Sequence, residues 1–248
     1  MSDEPSAVGR ERMEVVTKGP GTAGVLLRWL LWAWVALSIA GAFLWAPLAQ
    51  DFLGQSSRIL YFHVPMAWGA FVAFVVAGAW SLLYLRRRSP DHDRASLAAV
   101  EVGLVFCVLA TVTGAMWARI EWHTWWNWDP RQTSIMVVLV FYAAYLVLRG
   151  ALEDPEARAR LGAVYAVIGL VVAPFFIFVA PRLASFTLHP EPVLNTEAEL
   201  KMDARIGWVL ASSALAFNVL FFWLHRLRWR VLRLEARRGG PVVTGEVS

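Results

Sequence analysis

Residues 122–134 read WHTWWNWDPRQTS and place four tryptophans, Trp122, Trp125, Trp126 and Trp128, within seven positions. Two histidines flank this stretch at long range, His63 in RILYFHVPMAW and His189 in TLHP. Arginines stand near all three segments: Arg58, Arg119, Arg131 and Arg182. These residue types suit one kind of ligand when taken together. Neutral imidazole is a good axial ligand for haem iron, flat indole faces stack on a porphyrin, and guanidinium groups pair with propionates.

Each residue also has a plainer reading. A histidine near a membrane surface more often satisfies a hydrogen bond than ligates a metal. Tryptophans collect at the lipid headgroup level because one edge of the indole is apolar while its N–H needs a partner. Trp122, Trp125 and Trp126 would share a face if the segment is helical. Asp129, Pro130, Arg131 and Gln132 match the N-cap, N1, N2 and N3 positions of a following helix, with Gln132 placed to close a capping box. Asp129 is therefore expected to act through the helix that it caps. His123 is expected to be surface-exposed, and His92 and His225, in charged surroundings, to be solvated.

The elements that must position these groups are transmembrane helices. The chain has 248 residues, 58% hydrophobic, which excludes an ordinary water-soluble domain. Its single cysteine, Cys107, lies in an apolar run, so there is no disulfide framework, no cysteine metal site and no CxxCH attachment. Any haem would be held without a covalent bond. The net charge of +4 sits at helix ends, as topology requires, and does not point to nucleic acid. Hydrolase and nucleotide motifs such as H-E-x-x-H, G-x-S-x-G and the phosphate loop are missing from the sequence.

Apolar runs at 25–47, 65–85, 98–117, 133–148, 161–180 and 206–224 give six spans, about 20 residues sufficing for a hydrocarbon core of roughly 30 Å. The fourth is short, so the Trp-rich segment is expected to dip into the interface to complete it. Pro65 fits the first turn of the second span, which places His63 just outside it. Pro174 is expected to kink the fifth. Glu101, near the inner end of span three, is expected to meet Arg94 or water. Arginines crowd the loops after spans two and four and the segment after span six, so both termini are expected in the cytoplasm, with His63, the Trp-rich segment and His189 on the outer side. The organisation reads as a disordered tail over 1–24, a six-helix domain over 25–225 and a basic tail over 226–248.

RILYFHVPMAW, TGAMWARIEWHTWWNWDPRQTS and TLHP together resemble the haem-handling protein C (CcmC) family of bacterial cytochrome c maturation. That family belongs to a wider set with a Trp-rich outer loop that includes the larger cytochrome c synthases. The match runs from about residue 25 to 224. The resemblance implies an all-α, six-helix protein of the bacterial inner membrane that binds haem on its outer face. It implies His63 and His189 as axial ligands, and residues 122–129 as the cradle for a non-covalent, transient haem. The partners implied are an ABC transporter's ATPase and permease subunits, a small single-span protein and a periplasmic haem chaperone. His123 stands where the family usually has glycine, and Pro130 and Gln132 replace its more typical residues. The rival classes are a b-type redox cytochrome, a permease subunit and a structural scaffold for the transporter. The cytochrome usually holds its histidines within the spans, and the permease needs polar spans.

Overall fold

Runs this long and apolar have to satisfy their backbone internally, which makes them helices. The computed structural model describes residues 21–48, 54–189 and 203–238. It contains α1 (Thr22–Ala40, prolonged by a π turn, Gly41–Trp45), α2 (Leu60–Arg87), α3 (Pro90–Glu121), α4 (Pro130–Ala151), α5 (Pro155–Pro174) and α6 (Ala204–Arg238). All six are long and apolar enough to cross a membrane, and the described residues include no strand. The chain is an all-α, multi-pass membrane protein. Residues 1–20 and 190–202 lie outside the description, and with them most of the expected N-terminal tail and much of the loop before α6.

Proline opens three of these helices, at positions where its missing N–H costs nothing. Asp154 caps α5 by accepting from the N–H groups of Glu156 and Ala157 at 3.2 and 2.9 Å. Pro65, however, does not open α2. A 3₁₀ turn, Gln55–Ile59, leads straight into a helix that starts at Leu60, so Pro65 lies inside it. Proline there cannot donate to the carbonyl of Tyr61 four residues back. The hydroxyl of Ser213 on α6 donates to that carbonyl instead, at 2.5 Å. His63 accordingly lies in the first turn of α2, and not in a loop before it.

Three other expectations change. α4 runs for 22 residues, so the Trp-rich segment need not supply length. α5 does not simply kink at Pro174: the helix widens into a π turn, Phe175–Val179, and closes with Ala180–Leu183. α6 continues to Arg238, so the start of the basic segment is helix packed on α3. Arg228 forms a two-pronged pair with Glu101 at 2.7 and 3.0 Å, which replaces the expected Arg94 or water. Arg233 pairs with Asp91 and lies 4.3 Å above the ring of Trp229. This extension buries His225, whose ring nitrogen stands 2.9 Å from the Ala95 carbonyl. His92 is half-buried beside Trp80, at 5.5 Å. Neither histidine is solvated: α6, continuing as a helix, packs His225 against α3, and Trp80 covers His92.

α2 and α3 form the centre of the bundle, with small residues letting the backbones approach. A Cβ at Gly103 would lie 2.8 Å from that of Ala73. Phe74 of α2 stacks nearly parallel on Tyr142 of α4 at 3.6 Å. At the arginine-rich end, Arg149 makes a largely buried two-pronged pair with Asp93 at 2.6 and 2.9 Å. Asp93→Ala would leave that guanidinium buried and uncompensated. It is expected to cost about 3–5 kcal/mol, read as a lower melting temperature of the detergent-solubilised protein. An unchanged melting temperature would show that the pair contributes nothing.

Candidate functional site

At the opposite end, α2, α3, α4 and the π turn after α5 enclose a cavity of about 150 Å³. His63, Gly114, Trp126, Arg131, Phe176 and His189 are among the residues lining it. Thus two histidines 126 positions apart in the chain reach one space, together with one member of the tryptophan cluster and one of the four candidate arginines.

His63 is held by α3. Its Nδ1 stands 3.2 Å from Oγ1 of Thr113. The carbonyls of Leu109 at 2.8 Å and Ala110 at 3.1 Å are the nearer acceptors for that hydroxyl, which assigns it as donor to the backbone and acceptor from the imidazole. Nδ1 therefore carries the proton and Nε2 carries the lone pair. Gly114 gives the ring its room, since a Cβ there would lie 2.9 Å from Cε1 of His63.

His189 is held by Asp129. The Asp129 carboxylate is buried at 5% exposure and caps α4, with Oδ1 accepting from Arg131 N–H at 2.9 Å. Its Oδ2 accepts from the Thr187 hydroxyl and the Leu188 N–H, both at 2.8 Å. One side chain thus fixes the start of α4 and the segment that carries His189. Oδ1 also lies 3.5 Å from His189 Nδ1, which is buried without a hydrogen bond. Burial alone would raise the Asp129 pKa, but these donors, with His189 beside it, hold it below the usual carboxylate range. For His189, burial and the nearby Arg131 push the imidazole below its ordinary 6.5, against the pull of Asp129. It is neutral near pH 7, the form that ligates metals.

The Trp-rich segment is a loop between α3 and α4, not a helix. Two of its residues have left-handed backbone, His123 at φ 57° and Trp128 at φ 62°. Such a turn suits glycine and strains a bulky side chain. His123→Gly is expected to stabilise the loop by up to about 1 kcal/mol, visible as a modest rise in melting temperature. No rise would mean that the strain is relieved elsewhere. The capping box takes a different form from the expected one. Gln132 reaches past Asp129, accepting from Asn127 N–H at 3.0 Å, while the Asn127 side chain accepts from Asp129 N–H at 3.0 Å.

The tryptophans divide by role. Trp122 packs edge-on against the His189 ring at 5.3 Å, Trp126 lines the cavity, and Trp125 and Trp128 face outward at 59% and 69% exposure. His123 is exposed, as expected. Of the four candidate arginines only Arg131 lines the cavity. Arg58 donates to the Ala42 carbonyl and covers Phe43, Arg119 donates to the His123 carbonyl, and Arg182 to the Phe178 carbonyl. The sequence reading missed Trp117, whose buried ring lies 5.4 Å from His189 and 5.0 Å from Trp122. Its spacing from Thr113 and Gly114 marks one face of α3, which is the available signal.

This donor set fits a metal that brings ligands of its own. Among the described residues, no group of three or more His, Cys, Asp or Glu could hold a free ion. Two imidazoles complete the coordination of an iron already held by four porphyrin nitrogens. Trp126 Nε1 and Arg131 Nε are buried with no protein acceptor among the described residues. Each unsatisfied donor costs about 1–3 kcal/mol, and propionate oxygens would satisfy both. The cavity is smaller than the roughly 300–1,000 Å³ of sites that engulf a drug-sized ligand, so a macrocycle bound here would stay partly exposed.

Comparison with known proteins gives a consistent result. A family model described as "Heme exporter protein C" matches residues 16–243. The chain is 35% identical over 225 residues to heme exporter protein C of Rhodobacter capsulatus, covering 88% of this chain and 90% of that one. It is 32% identical over 219 residues to the Paracoccus denitrificans protein of that name, at 88% and 89% coverage. Against the Escherichia coli K12 protein the identity is 31% over 223 residues, at 87% of both chains.

Proposed function

The chain belongs to the heme exporter protein C family, and from that premise we propose that it binds haem at the outer face of the bacterial inner membrane and delivers it to a periplasmic haem chaperone for c-type cytochrome biogenesis. His63 and His189 would hold the haem iron through their imidazole nitrogens. Trp117 and Trp122 hold the second imidazole in place, and Arg131 and Trp126 donate to the propionate edge. Trp125 and Trp128 face outward and do not line the cavity. The single cysteine, Cys107, is buried and does not line the cavity, so binding is non-covalent and reversible, as delivery requires. Both termini lie in the cytoplasm, and the protein works beside the ATPase and permease subunits of an ABC transporter and a small single-span protein.

One observation carries this reading: two histidines from separate elements line the same cavity, and unsatisfied buried donors stand in its wall. The test is an optical spectrum, oxidised and reduced, of the full chain purified in detergent from haem-replete cells. Low-spin haem is expected, and mixing with the apo-chaperone should transfer it. A protein that takes up no haem even on titration would overturn the proposal in favour of a structural subunit.

A further inference from the structure

The two histidines have the same tautomer but unlike partners. His63 Nδ1–H faces a neutral hydroxyl, Thr113, at 3.2 Å, whereas His189 Nδ1 faces the Asp129 carboxylate at 3.5 Å with no other partner. A neighbouring carboxylate requires the proton to be on Nδ1, since a lone pair there would be repelled. In both rings Nε2 is left as the ligating atom. A carboxylate behind a ligating imidazole raises its donor strength, as outer partners do at metal sites generally; a hydroxyl does so less.

We propose that the haem ligands are deliberately unequal: Asp129 positions and strengthens His189 as the retained ligand, while Thr113 positions His63 as the weaker ligand that lets go at handover. The inference rests on the haem-binding reading above. It gives direction to the release step, because one bond breaks first while the other still holds the cargo. His189 is also the ligand with more behind it. Asp129 clamps its segment through Thr187 and Leu188, and Trp117 and Trp122 pack on its ring.

Carbon monoxide added to the reduced, haem-loaded full-length protein displaces the weaker axial ligand, and the Fe–CO vibration reports the ligand that remains. The wild-type adduct should match that of His63→Ala and differ from that of His189→Ala. In the ferrous single-histidine proteins, the iron–imidazole stretch should be higher in His63→Ala than in His189→Ala. Adding Asp129→Asn to His63→Ala should lower it. Adding Thr113→Val to His63→Ala should leave it unchanged, because Thr113 acts only through the ligand already removed. In the wild-type background, Thr113→Val should weaken haem retention several-fold, with Thr113→Ser restoring it. If the wild-type adduct matches that of His189→Ala, or the two single-histidine stretches coincide, the assignment is wrong although haem binding stands. If no haem binds to the wild type, both readings fall. Should Asp129→Asn fail to fold, the comparison of single-histidine proteins still decides.

Discussion

Replacing His63 and His189 together by alanine is expected to abolish the low-spin haem spectrum and to reduce haem retained through purification by at least about 100-fold, beyond the roughly 10–100-fold typical of losing an outer-shell partner. His63 is backed by Thr113 and His189 by Asp129, Trp117 and Trp122, and both rings line the same cavity. Each single substitution should leave one imidazole and give a high-spin spectrum. The appropriate control is His123→Ala, since His123 is exposed on the loop and lines no part of the cavity. His225 is a poor control because it is buried against the Ala95 carbonyl and its loss would disturb the packing of α6. Haem content in the double variant equal to the wild type would remove both histidines from the site.

The second large effect is expected at a residue with no side chain. Gly114 lies inside α3, where alanine is normally favoured over glycine by about 0.5–1 kcal/mol. Yet the added methyl would stand 2.9 Å from Cε1 and 3.4 Å from Nδ1 of His63, and the ring would have to move off Thr113. Gly114→Ala should therefore keep or slightly raise the melting temperature of the apoprotein while weakening haem binding by roughly 10–100-fold, the range for disturbing a ligand's outer partner. Titrating haem into the apoprotein and measuring its thermal unfolding separates the two. Unchanged affinity would mean that the ring adapts.

The six spans were readable because membrane hydropathy is a coarse signal that survives local detail. Helix ends were not, and the reason is tertiary. Pro65 has the look of a helix start, and a hydroxyl from α6, donated to the Tyr61 carbonyl across 152 positions of chain, lets it sit inside α2. From the sequence, His225 is expected to be solvated, and Glu101 to meet Arg94 or water, because the basic run after Leu224 reads as a tail. Their partners appear once α6 keeps its helix to Arg238. At the site, the residue types named the two histidines, Trp126 and Arg131. Arg58 and Arg119 are chemically equivalent to Arg131, and nothing in the sequence says that they spend their donors on backbone carbonyls. Asp129 was read as a cap, which it is. That its second oxygen holds Thr187 and Leu188 depends on which loop comes to rest beside it, and spacing along the chain carries no such information.

The hydrogen bond from Ser213 to the Tyr61 carbonyl exists because position 65 is a proline. The two positions should therefore drift together among related chains. Where a relative carries an ordinary residue at the site of Pro65, its own amide can reach that carbonyl, and the site of Ser213 is released to become alanine or glycine. Where the proline is kept, a hydroxyl at 213 should be kept with it. The turn that presents His63 and the helix that follows the His189 loop are thus bound by a shared constraint on substitution.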